Sequence, residues 1–440
     1  MSEDRDRTKP VLLHPVLPSS EVPTWPGAVW VGRLDLGASG VTDRDGYRLV
    51  GADGYRRARL AILRDRELSG FVEVDVHGDH LDGAEVSRAV AGLSPATGPR
   101  LRILNRDVAR PVTVVVCTRD RVAMLRVALE SILASDYPDF DVVVVDNASA
   151  TDETRRYVDE FDDPRVRVVV EPRAGLSRAR NAGLRAATGE IVAFTDDDVV
   201  VDSGWLGELT RAFDWDCSVA CVCGIVPSGE IRTPAQAYFD QRVGWASSCT
   251  PRLFDLADPP ADVPLFPFQV GIYGTGANFA VDRRTAASLG GFDEALGAGS
   301  PTDGGEDLDM FFRVLHAGRQ LAYQPAAIVW HRHRADNAAL AVQARGYGLG
   351  LGAWLCKIML HPRTAGLAVR TAIVKVPTVV RLSRKLSVDV APSRALADSL
   401  PPGIGAVELW SIAKGPAAYL RARREGRRRA PLEGLDDGCV

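Results

Sequence analysis

The middle of the chain alternates short, nearly continuous apolar runs with stretches of helical period. VTVVVCT (112–118), DVVVVDN (141–147), VRVVVE (166–171) and IVAFTD (191–196) lack the polar–apolar alternation of a half-exposed strand. Such runs suit strands covered on both faces, as in a parallel sheet. Between them, RVAMLRVALESILAS (121–135) and LSRARNAGLRAATG (176–189) read as helices, the second stopped at Gly189. The pattern is βαβ, an architecture that binds ligands at the carboxyl ends of its strands.

The flanks differ. After a Pro-rich opening, AVWVGRLDL (28–36), ARLAIL (58–63) and GFVEVDV (70–76) read as strands. RDRELSG supplies a turn between the last two, so an antiparallel β module is expected. Asp75, His77, Asp79 and His80 imitate a metal site there, but a polar strand end accounts for them. The last hundred residues read as helical and basic: His361 to Val440 holds 14 Lys+Arg and 7 Asp+Glu, a balance of +7 against −4 for the whole chain. RARREGRRR (421–429) concentrates that charge. Either a solvated tail or attraction to an anionic membrane surface or lipid phosphate fits it. Three segments follow: a β-rich accessory module (1–105), an α/β domain (106–335) and a basic, mainly helical extension (336–440).

Composition adds bounds. With 46% hydrophobic and 25% charged residues the chain is an ordinary globular one, and its charge gives no reason to expect nucleic-acid binding. The polar N-terminus shows no secretory signal, and LGLGAWLCKIML is too short to span a bilayer. Seven cysteines at irregular spacing point to reduced thiols and a cytoplasmic location. CSVACVCG (217–224) lacks a matching pair at zinc spacing, so its cysteines read as core.

The candidate chemistry lies at strand ends. AFTDDDVVV (193–201) places Asp196, Asp197 and Asp198 where three like charges would repel without a cation. Mg²⁺ or Mn²⁺ takes oxygen ligands and binds through one or two carboxylates plus substrate phosphates. Upstream, PVTVVVCTRDR ends a strand with Thr118 and Arg119, VVVVDNAS ends one with Asp146, and EPRAGLSRARNAG sets Arg173 and Gly175 before a helix. Downstream, YGTGANFAVDRR (273–284) combines small residues with Asn278, and either sugar approach to backbone or tight strand packing explains them. Leu308, Phe311, Phe312 and Leu315 form a helical stripe with Glu306 and Asp307 in its first turn. AIVWHRHR (327–334) ends a strand with His331 and His333 on one face.

In this order and spacing the motifs resemble glycosyltransferase family 2, the inverting nucleotide-sugar transferases of GT-A fold, from Pro111 to about His333. The resemblance implies a mostly parallel, Rossmann-like sheet flanked by helices, and a metal-dependent transfer of one sugar from a nucleoside-diphosphate sugar to a hydroxyl. It implies Asp146 as base-reading acid, Thr118, Arg119, Arg173, Asp196, Asp197 and Asn278 as further donor contacts, and Asp198 with His331 as metal ligands. His331 is preferred to His333. Asp307 is implied as catalytic base, with Glu306 orienting the acceptor or sharing the role. A helix N-terminus lowers a carboxylate's pKa, which would make that base weak. UDP is favoured as carrier because Asp146 suits the uracil imino proton. The acceptor is a glycan, lipid-linked or small molecule, in a setting such as cell-envelope polysaccharide synthesis on the inner membrane face. The Gln-x-x-Arg-Trp motif of the family's polymer synthases is missing, as are spanning helices. Two alternatives are weighed. A sugar-nucleotide pyrophosphorylase would need a Gly-rich triphosphate loop that CTRDRVAM lacks, and a non-catalytic transferase-like scaffold would not need the full acid set.

Overall fold

The structure is a computed structural model that describes residues 10–37, 46–93, 109–242, 248–389 and 404–426. The arginines at 427–429 and the stretch following Arg242 to 247 lie outside the described residues.

The central sheet is built from β7 (Val112–Thr118), β8 (Phe140–Asn147), β9 (Val166–Glu171), β10 (Ile191–Thr195), β11 (Val199–Val201), β12 (Val219–Ile225), β13 (Arg252–Phe254), β14 (Asn278–Asp282) and β15 (Gln320–His331). Its order is β11-β15-β12-β14-β10-β7-β8-β9, with β13 also on β15. β10, β7, β8 and β9 run parallel, and β12 is parallel to β15. β14 runs antiparallel between β10 and β12. This is the mixed, mostly parallel α/β sheet expected of a GT-A fold.

The apolar runs explain it. Val112, Val114, Val116, Val142 and Val144 enter the core on one face, and Val115, Val143 and Val145 enter the core on the other. Each such valine, fully buried, contributes roughly 1.5–3 kcal/mol of transfer free energy. Helices α2 (Val122–Leu133) and α5 (Trp205–Phe213) cover the first face; α4 (Leu176–Ala186) and α8 (Glu306–His316) cover the second. Helix α4 ends at Ala186, short of the expected Gly189, because Ala187 is already extended. Gly189 serves close approach instead: a Cβ there would meet the Thr113 nitrogen at 2.6 Å.

The N-terminal strands form two three-stranded sheets, β1-β3-β6 and β2-β4-β5, from β1 (Val11–Leu13), β2 (Val29–Asp35), β3 (Gly46–Leu49), β4 (Arg57–Arg64), β5 (Glu67–Asp75) and β6 (His80–Asp82). The β4–β5 hairpin is antiparallel and turns through Asp65 and Arg66 at positive φ. β2 and β4 pair in parallel, however, because the chain crosses to the other sheet as β3 between them. The module is therefore mixed rather than antiparallel. It is tied to the α/β sheet by Arg59–Asp240 at 2.8 Å, by Val29 N–H to Ile231 O at 2.8 Å, and by Phe71 edge-on to Trp330. The Asp79 and His80 cluster is a strand-end ion-pair set with Arg48.

The C-terminal helices α9 (Asn337–Leu360), α10 (Pro362–Asp389) and α11 (Ile404–Glu425) follow. Alternate glycines at 346, 348, 350 and 352 carry a strand-like period yet lie in α9. A Cβ on Gly352 would sit 2.1 Å from Ile412 O of α11, and one on Gly350 would sit 2.6 Å from Gly304 C beside α8. The glycines thus let α9 approach two neighbours at backbone distance. Lys357 locks the contact with Nζ at 2.7 Å from both Asp293 Oδ2 and Asp309 Oδ1.

Candidate active site

A cleft of about 460 Å³ opens at the carboxyl ends of β7, β8 and β10. Antiparallel β14 starts at that edge, since Asn278 pairs with Thr195, so the loop 274–277 forms part of the wall. β15 ends there as well, with His331 opposite Val199. Five strands therefore deliver side chains to one place.

The three aspartates divide by environment. Asp197 is buried and accepts from Thr118 Oγ1 at 2.7 Å and Arg121 Nη1 at 2.9 Å. Burial, then the charge of Asp198, pushes its carboxyl up to about 6. Asp198 lies 3.2 Å from His331 Nε2 and 3.2 Å from Arg121 Nη1, with Arg334 at 3.8 Å. Burial would raise Asp198, but the His331 imidazolium and the two arginines hold it well below the usual carboxylate range. Asp196 is the most open of the three, 3.7 Å from His331 Nε2 and 3.9 Å from Arg180 Nη2. Although burial opposes its charge, Asp198 and Asp196 push the His331 imidazole up to about 10. Without a cation, then, the acids are compensated by Arg121, His331 and Arg334.

One ligand atom each from Asp196, Asp198 and His331 lies within 4.8 Å of the others, the one such grouping among the described residues. Two carboxylates and an imidazole suit a hard or borderline divalent cation. His333, the other candidate, does not join the group: it stacks beneath His331 with centroids 4.8 Å apart.

The start of α8 is anchored by a hydrogen bond to Gly276, between the cleft-lining Thr275 and Ala277. Asp307, half-buried, accepts the Gly276 N–H at 2.8 Å and the Leu308 N–H at 2.8 Å. Glu306 is buried and receives Arg180 Nη1 at 2.8 Å, while Arg180 Nη2 donates to Gly276 O at 2.9 Å. Burial and the adjacent Asp307 charge push Glu306 up to about 7, against Arg180. For this residue the effect of a helix N-terminus, expected to lower the pKa, is outweighed by desolvation.

The expected donor contacts are brought together unevenly. Thr118, Arg119, Asp196, Asp197 and Asp198 line the cleft, as do Asn147 and Gly175. Asp146 lies behind that wall and accepts from Ser149 Oγ. Arg173 is half-exposed and paired with Glu171 at 3.3 Å. Asn278 departs from its expected role: it is fully buried, its Oδ1 accepts from Trp205 Nε1, and its Nδ2 donates to Ile225 O and Ala327 O, each at 2.8 Å. Its amide is used up bracing strands, which is the packing alternative for that segment. Four residues of the site escaped the sequence reading. Arg121 stands in the quoted CTRDR run, but nothing in the run singled it out. Asn147, which holds the 171–175 loop through Arg173 O and Gly175 N, was visible only as a neighbour of Asp146. Gln343 and Tyr347 come from α9, far along the chain.

Fold and site together define an α/β protein with an acidic cleft at the carboxyl ends of its strands. Residues 113–268 match the model for glycosyl transferase family 2. The chain is 31% identical over 334 residues to the pre-mycofactocin glycosyltransferase of Mycobacterium tuberculosis, covering 74% of this chain and 63% of that protein. It is 25% identical to the O-antigen biosynthesis protein RfbC of Myxococcus xanthus, over 71% of this chain and 26% of that one. The chain thus spans less than two thirds of either relative. A solved mannosyltransferase of Pyrobaculum calidifontis, in complex with GDP-Man and Mn²⁺, is similar at a TM-score of 0.45 and 21% identity, over 71% of this chain and 90% of that chain.

Proposed function

We propose that the chain is a metal-dependent, inverting glycosyltransferase that moves one sugar from a nucleoside-diphosphate sugar to an acceptor hydroxyl. The observation that carries this is the convergence of Asp196, Asp198 and His331 within 4.8 Å, in a cleft whose lining residues Thr275 and Ala277 flank Gly276, the residue that donates its N–H to Asp307. Asp198, Asp196 and His331 would hold Mg²⁺ or Mn²⁺, which supplies Lewis-acid stabilisation of charge on the leaving diphosphate. Asp307 accepts the proton of the acceptor hydroxyl as its oxygen bonds to the anomeric carbon and the bond to the diphosphate breaks on the opposite face. Glu306, held by Arg180, fixes the start of the base helix. Thr118, Arg119 and Asp197 bound the nucleotide end, with Asp146 and Arg173 behind and beside them. UDP is the favoured carrier, because a carboxylate at the end of β8 suits an imino N–H.

The acceptor belongs to the glycan, lipid-linked or small-molecule range, and a setting in cell-envelope polysaccharide synthesis fits it. The 31% identity to the Mycobacterium relative favours pre-mycofactocin as the specific acceptor to try first. The working units are 1–105, 106–335 and 336–440, with the last resting peripherally on the inner membrane face. In support, Ile373 of α10 is 69% exposed and Trp410 of α11 is 71% exposed, and Arg363 and Arg370 lie exposed along α10. Among the described residues no helix is long and apolar enough to cross a membrane.

Thermal-shift titration of UDP, GDP and dTDP, each with and without Mn²⁺, tests the donor reading. Stabilisation by one nucleotide that requires the metal is expected. Equal shifts with and without Mn²⁺ for every nucleotide would remove the metal from the mechanism.

A further inference from the structure

His333 is 4% exposed, and neither ring nitrogen has a hydrogen-bond partner. Folded proteins seldom leave a buried polar side chain unpaired. The imidazole stacks on His331 at 4.8 Å and tilts against Phe239 at 4.3 Å, so ring packing fixes its plane. Gln343 repeats the situation from α9: its Oε1 is buried without a partner, while its Nε2 donates to Tyr347 Oη at 3.1 Å. All four residues line the same cleft as the aspartates. The rings of Phe239 and Tyr347 are 6.1 Å apart and inclined by 32°.

A cation does not answer these orphan groups, because His333 falls outside the carboxylate–imidazole grouping. A partner with hydroxyl groups that both donate and accept, and apolar C–H faces for the two rings, would satisfy them together. A sugar ring has both.

We propose that His333 and Gln343, walled by Phe239 and Tyr347, form a subsite for a polyhydroxylated sugar ring beside the diphosphate position. The proposal rests on the donor reading above and adds the residues that recognise sugar rather than nucleotide. The ring belongs either to the donor or to a saccharide acceptor, and one experiment separates these.

Calorimetry on the Mn²⁺-loaded protein would compare UDP with UDP-glucose and GDP with GDP-mannose. A second arm would titrate cellobiose into the protein with UDP and Mn²⁺, and into the protein alone. His333→Phe keeps the ring stack and removes both nitrogens; Gln343→Leu removes the amide from a separate element, should the first variant fold poorly. A loss of about tenfold in nucleotide-sugar affinity, beyond any change for the bare nucleotide, assigns the donor sugar. A comparable loss confined to cellobiose assigns the acceptor. Wild-type protein that gains nothing from a sugar in either arm, or variants that match wild type in both, overturn the subsite. If wild type binds neither UDP nor GDP, the donor reading fails by itself, and cellobiose binding to the nucleotide-free protein still decides the subsite.

Discussion

Arg180 Nη1 lies 2.8 Å from Glu306 Oε1, and the same guanidinium is 3.9 Å from Asp196 Oδ1. One buried arginine of α4 therefore faces both the start of α8 and the acid cluster, with its plane packed near the rings of Phe279 and Phe292. Removing one partner of a buried ion pair leaves the other uncompensated, at a cost of about 3–5 kcal/mol. Arg180→Met is expected to lose stability on that scale in urea denaturation, and the double variant Arg180→Met/Glu306→Gln to recover part of it. Additive losses would mean that the pair is not coupled.

Under the proposed mechanism, Asp307→Asn is expected to lower kcat by about 10²–10⁴ while nucleotide affinity holds. Full transfer activity in this variant would end the base assignment.

Glu306 makes stability depend on pH. Its folded pKa of about 7 lies above the ordinary glutamate value of 4.5, so the folded state binds the proton more tightly. The contribution is present in full below pH 4.5 and is lost as pH rises through 7. Glu306→Gln should flatten that decline, read as the midpoint of thermal unfolding across pH 4 to 8. An unchanged slope would place the titrating group elsewhere.

Asp198→Ala removes one carboxylate of the candidate metal set and leaves Arg121 paired with Asp197. Mn²⁺ affinity, followed by electron paramagnetic resonance of the free ion, should fall at least tenfold, and metal-dependent stabilisation by nucleotide should go with it. Retained Mn²⁺ binding would relocate the cation.

The basic C-terminus should be shortened after Gly426, not from Arg421. A cut from Arg421 would remove the buried Ala422 and the last turn of α11 just past Tyr419, whose Oη donates to Asp293 Oδ2 at 3.0 Å. Truncation after Gly426, combined with Ile373→Ser, is expected to reduce sedimentation with vesicles containing anionic lipid and to spare donor hydrolysis. Equal loss of both would count against a docking role.

Much of the α/β domain was legible in the sequence, because a strand covered on both faces needs a continuous apolar run and its period is local. VTVVVCT became β7 at the expected bounds, and the Phe311–Phe312 stripe became the core face of α8. The acid triplet was visible for the same reason, since three charges after such a run have few structural uses. Tertiary structure decided what period and spacing do not encode. Asn278 and Asp197 are both polar residues at the cleft edge of the sheet, yet one amide braces three strands while the other carboxylate faces the cleft. Partners set that difference, and they lie 49 to 79 residues away. The alternate glycines of α9 fall in a stretch read as helical, but their use appears only where the backbones of Gly304 and Ile412 come against them. The sequence alone determined the sheet, the helices and the acids, because each is written in neighbouring residues. Which acids are buried, which histidine joins them and which remains unpaired depended on segments meeting across the fold, where burial and charge are set by distant neighbours.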